Sequence, residues 1–83
     1  MKVIEVLGPG CNNCRRVEAN AVAAVEAAGI EAEVRHVTDF RDIAARGVMS
    51  TPGLVIDGVV VSTGRIPSSE EITGWLVAPA SAG

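Results

Sequence analysis

The chain has 83 residues, a formal net charge of −3, one Phe, one Trp and no Tyr. That length makes a single small domain with a core of Val, Ile, Leu and Ala, and it excludes an enzyme built around a large enclosed cofactor. Arg15-Arg16 is the only adjacent basic pair and no apolar stretch reaches bilayer length, so neither nucleic acid nor a membrane is expected as partner.

Residues 2–7 (Lys-Val-Ile-Glu-Val-Leu) read as a strand apolar on both faces and interrupted by Glu5, the pattern of a central strand covered on both sides. The same stretch lacks a small-residue cleavage pattern, so no signal peptide is expected and a reducing cytoplasm is the expected compartment. Gly8-Pro9-Gly10 ends the strand. From Asn12 to Ala28, Val17, Ala21, Ala24, Val25 and Ala28 fall on one helical stripe, and Gly29 follows as a C′ residue. Ile30, Ala32 and Val34 alternate with Glu31, Glu33 and Arg35, a half-buried strand running to Val37. One helix between two strands implies a parallel pair with a right-handed crossover.

Thr38 or Asp39 then caps a short helix ending at Arg46-Gly47. Val48 to Gly53 is a loop. Leu54-Val55-Ile56 and Val59-Val60-Val61 flank Asp57-Gly58, the signature of a hairpin closed by a type I′ turn. Ser68 and Glu71 form a capping box that starts a last helix carrying Ile72, Trp75 and Leu76, stopped by Pro79. The fold class expected is α/β: βαβαββα, a four-stranded mixed sheet with helices on both faces. Residues 1–77 make the domain and 78–83 a flexible tail.

The only cysteines, Cys11 and Cys14, stand three apart where the first strand turns into the long helix. In a reducing compartment such a pair reads as a redox dithiol or a metal clamp. Structural zinc takes four protein ligands, and the chain adds only His36, at the far end of the second strand. Copper-chaperone domains share the Cys-x-x-Cys spacing but have a βαββαβ order. The redox reading is therefore preferred, with no metal, and the rival is a non-catalytic module that binds or transfers a soft metal through the same pair.

Four features together resemble a known family: Gly10-Cys11-Asn12-Asn13-Cys14 after the first strand, Thr51-Pro52 before the third, Asp57-Gly58 in the hairpin, and Gly64-Arg65-Ile66-Pro67 before the last helix. The chain resembles the minimal, glutaredoxin-sized thioredoxin fold, in particular the small thioredoxin-like redox-active disulfide proteins. It departs from thioredoxins proper, which place Trp before the first Cys and Gly-Pro between the two. It departs also from glutaredoxins, which have Pro-Tyr there.

The resemblance implies a thiol–disulfide oxidoreductase acting on protein disulfides. Cys11 is then the nucleophile, its thiolate favoured by the helix N-terminus, and Cys14 the resolving thiol. It implies that Pro52 is cis, as about one X-Pro bond in twenty is, and that Thr51 offers its backbone to substrate. Asn12, Asn13 and Arg15 are candidates for tuning Cys11. Glu5, six residues before Cys11, either matches an acidic residue that assists proton transfer beneath the thioredoxin site or is a strand-end or rim carboxylate with a structural role. Met49 is expected to fill a gap beside the site, and Trp75 to anchor the last helix in the core. No cofactor is implied beyond the Cys11–Cys14 disulfide. A separate flavoprotein disulfide reductase or another dithiol donor would restore the dithiol, and a monomer is expected.

Overall fold

The computed structural model describes residues 2–10 and 12–77. Cys11, the tail at 78–83 and the helix stop at Pro79 lie outside the described residues. Along the chain come β1 (Lys2–Leu7), α1 (Asn12–Ala28), β2 (Ala32–Val37), α2 (Phe40–Ala45), β3 (Gly53–Ile56), β4 (Val59–Thr63) and α3 (Ser69–Val77). This is the expected βαβαββα order. The sheet runs β2-β1-β3-β4. β1 pairs parallel with β2 and antiparallel with β3, and β3 pairs antiparallel with β4.

The alternation of β1 decides which helix covers which face. Ile4 and Val6 point to one side, where they join Val17, Ala21 and Ala24 of α1 and Ile72 and Leu76 of α3. Trp75 is partly buried against this cluster, as expected. Leu7 points to the other side and packs with Val55, Ile43 of α2 and Val48.

Local chemistry fixes the joints. The side chain of Asp39 accepts the Arg41 N–H and caps α2. The Ser68 hydroxyl accepts the Glu71 N–H at 3.1 Å while the Glu71 carboxylate accepts the Ser68 N–H at 3.3 Å, the reciprocal capping box read from the sequence. Asp57 (φ 50°) and Gly58 (φ 82°) both occupy the left-handed region that a type I′ turn requires. Asp57 has a second task there. Its carboxylate accepts the Val3 N–H at 2.9 Å and meets Lys2 Nζ at 3.3 Å, so the hairpin tip is tied to the start of β1.

The hairpin differs from expectation in one respect. Leu54 faces Ser62, but Val55 faces Val60, leaving Val61 as a bulge. The extra residue turns Val61 onto the α1 and α3 cluster, whereas Val59 and Val60 stay exposed.

Candidate active site

β1 and β2 end at the same edge of the sheet, and antiparallel β3 begins there. The turn at residues 8–10, the entry to α1 and the segment leading into β3 are therefore gathered at one rim. Cys14 sits in the first turn of α1 and is fully buried. Its sulfur lies against the backbone of Gly8: a Cβ added at Gly8 would overlap Cys14 Sγ and stand 3.7 Å from Thr51 Cβ. A side chain at position 8 would thus wedge between the thiol and the 51–52 segment, and glycine is needed there for space. Thr51–Pro52 is a cis peptide, with Thr51 exposed and Pro52 buried. The Pro52 carbonyl accepts the Gly64 N–H at 2.9 Å, which fixes the segment to the end of the hairpin.

The electrostatics of the α1 entry suit an anion. The first turn holds no acidic residue, and Asn12, Asn13, Arg15 and Arg16 are all exposed around it. Unpaired N–H groups of a helix of this length carry partial positive charge at its start.

Glu5 is held on the other side of the sheet from α1, and the expectation for Met49 needs correction. Ile4 and Val6 face α1, so strand alternation sends Glu5 to the opposite, α2-covered side. There its carboxylate is gripped by Arg46, with Nε to Oε1 at 2.9 Å and Nη2 to Oε2 at 2.6 Å. The Arg46 bond is the main reason its pKa lies below the ordinary carboxylate value; burial opposes it, and Arg46 and Arg35 charges add to it. The group stays ionised and is spent on an ion pair. Met49 fills no gap: it is 93% exposed, because Val48 takes the buried position in that loop.

His36 is turned toward α1, where its Nδ1 stands 3.7 Å from Glu18 Oε2 in a surface contact. Among the described residues no group of three or more His, Cys, Asp or Glu side chains could hold a metal ion. Two residues that shape the site escape the sequence reading. Gly8 reads only as part of the turn and rim, and its contact with the thiol has no local signature beyond the glycine itself. Arg46 reads only as a helix terminus, although it is the partner of Glu5.

A family model described as a thioredoxin domain matches residues 2–77. The chain belongs to the thioredoxin family. It is 47% identical over 72 residues to a thioredoxin of Methanocaldococcus jannaschii, an alignment covering 87% of this chain and 83% of that protein. It is 40% identical over 72 residues to a thioredoxin of Methanothermobacter thermautotrophicus, covering 87% and 94% of the two chains. As a thioredoxin-family member it is a thiol–disulfide oxidoreductase. No helix among its described residues is long and apolar enough to cross a membrane.

Proposed function

We infer that this protein reduces protein disulfides through Cys11 and Cys14, with Cys11 as nucleophile and Cys14 as resolving thiol. The observation that carries the reading is the seat of Cys14: buried in the first turn of α1, its sulfur against Gly8 and beside the cis Thr51–Pro52 segment. A thiol so covered is suited to attack a neighbouring sulfur rather than an incoming protein.

The Cys11 thiolate attacks one sulfur of the substrate disulfide and expels the other as a thiolate, which takes a proton. The Cys14 thiolate then attacks the Cys11 sulfur of the mixed disulfide and releases the second substrate thiolate. Two electrons have passed to the substrate, and Cys11–Cys14 is a disulfide. The helix N-terminus and the exposed guanidinium of Arg15, at the start of α1, favour the attacking anion, and Asn12 and Asn13 supply amide donors at the same entry. Thr51 presents its backbone to an extended substrate strand, and Pro52 shapes that seat. The resting dithiol is restored by a separate flavoprotein disulfide reductase or another dithiol carrier. The protein works as a monomer in the cytoplasm, without a bound cofactor.

Turnover of insulin disulfides, with a chemical dithiol as electron source, tests the reading. Cys11→Ser should abolish it. Pre-reduced Cys14→Ser, mixed with insulin after the chemical dithiol is removed, should stop after one event and leave a trapped mixed disulfide on Cys11, visible as a mass increase. Full activity in Cys11→Ser, or stoichiometric soft metal in anaerobically prepared protein with no reversible dithiol oxidation, would overturn it.

A further inference from the structure

The pair of Glu5 and Arg46 joins residues 41 positions apart across the thinly covered face of the sheet. The Glu5 side chain is only 13% exposed. Both of its oxygens are bonded in a forked arrangement, the geometry that gives an Arg–carboxylate pair directional strength. The third arm of the guanidinium, Nη1, donates to the Asp42 carbonyl at 2.8 Å. Arg46 is also the C-cap of α2, and its backbone N–H donates to the Ile43 carbonyl at 3.1 Å. One side chain therefore pins the end of α2 to the middle of β1.

What leaves that pinned point is the segment leading to Thr51–Pro52. Gly47 N donates to the Ala44 carbonyl at 2.9 Å and Val48 N to the Ile43 carbonyl at 3.4 Å, so the chain is held as it departs. Val48 is then buried against Leu7, Ile43 and Val55. Met49, Ser50 and Thr51 are exposed, and the chain is next fixed at Pro52, whose carbonyl is bonded to Gly64. The arm that carries Thr51 thus spans two anchors. One is the hairpin end, and the other is the Glu5–Arg46 fork with the small α2 it secures.

We propose that Glu5 and Arg46 are positioning residues for substrate: their ion pair holds the residue 47–52 arm where Thr51 meets an incoming disulfide-bearing chain. The role rests on the assignment of Thr51–Pro52 as the substrate seat. It is distinct from proton transfer at the dithiol, because Glu5 faces away from α1. It acts on docking of an extended protein segment and not on the sulfur chemistry, so a small disulfide that needs no backbone partner should be indifferent to it.

The test uses the full chain carrying Glu5→Gln, Arg46→Lys or Arg46→Ala. Three readings are taken: kinetics with insulin, kinetics with dithiobis(nitrobenzoate), and the equilibrium potential of the cysteine pair. Assays run below the melting temperature of each variant; Arg46→Lys keeps the cation and covers the case in which Arg46→Ala does not fold. The expected result is a KM for insulin raised by about tenfold with kcat little changed, on the scale at which small misplacements act on enzymes. Arg46→Lys, which loses the fork but keeps the charge, should fall between wild type and Arg46→Ala. The small disulfide and the potential should not respond. Equal losses on both substrates, a shifted potential, or unchanged insulin kinetics would overturn the positioning role. A protein with Glu5 and Arg46 intact whose turnover survives Cys11→Ser would overturn the dithiol reading instead, and this role with it.

Discussion

On one side of the sheet two helices, α1 and α3, close over an apolar cluster that includes Ile4, Val6, Leu54 and Ile56. On the other, the six-residue α2 packs with Leu7 and Val55 of the sheet, with Ile43 and Val48 as the buried contributions of the covering layer, and a polar fork completes the attachment. The thick side holds Cys14 in place. The thin side holds the arm that faces it. A site built across such a difference has one rigid partner and one whose position depends on a few contacts.

The largest expected effect lies on the thick side. Ile72 is fully buried between α3 and the sheet, and Ile72→Ala should cost about 3–4 kcal/mol by lost transfer energy and the cavity left behind. Ile43→Ala, on the thin side, should cost about 2 kcal/mol, because a short helix at the surface can settle into the space. Urea unfolding of both variants measures the contrast. Equal losses would mean that α2 is held as firmly as α1 and α3.

Gly8→Ala brings the two sides together at the thiol. The new methyl would overlap Cys14 Sγ, and the thiol has no exposed space into which to turn. A destabilisation of about 1–3 kcal/mol is expected from overpacking, together with slower resolution of the mixed disulfide. Stopped-flow kinetics of the second exchange step, set beside a urea melt, would show whether both occur.

The smallest effect is electrostatic and belongs to the thin side. Hydrogen bonding to Arg46 lowers the pKa of Glu5 in the folded protein. The ionised form is thus favoured by folding. Its contribution to stability is complete above the ordinary carboxylate range and is lost as pH falls through the lowered folded value. Asp57, held by the Val3 N–H and Lys2, and Glu71, held by Arg65 and the Ser68 N–H, are lowered as well and lose their contributions in the same direction. Melting temperature should therefore fall on acidification below about pH 4, near the carboxylate reference values, and Glu5→Gln should flatten part of that slope. An unchanged slope in Glu5→Gln would mean that solvent screens the fork on the thin side.

The regular elements are legible in the sequence because their signals are local. The stripe through Val17, Ala21 and Ala24, the Asp57-Gly58 turn and the Ser68–Glu71 box each span a few residues and need no knowledge of the rest. The cis state of Thr51–Pro52 follows from family resemblance. What escapes is set by partners distant in sequence. Glu5 carries no mark of its side other than its alternation with Ile4 and Val6, and a strand apolar on both faces does not say which side a given helix covers. Its partner Arg46 lies 41 residues on. Met49 is apolar enough to be buried, but the two-helix core lies on the other side and Val48 fills the small one. The Val61 bulge follows from the pairing of β3 with β4, which three consecutive valines do not specify.

The tie between the hairpin tip and the start of β1 has a practical consequence. Lys2 is the sole lysine in the chain, and it sits with Asp57 at the end of β1 opposite to Gly8 and Cys14. Coupling through its ε-amine to a resin or an electrode would orient immobilised molecules alike, with the Gly8 turn and the entry to α1 at the end away from the support.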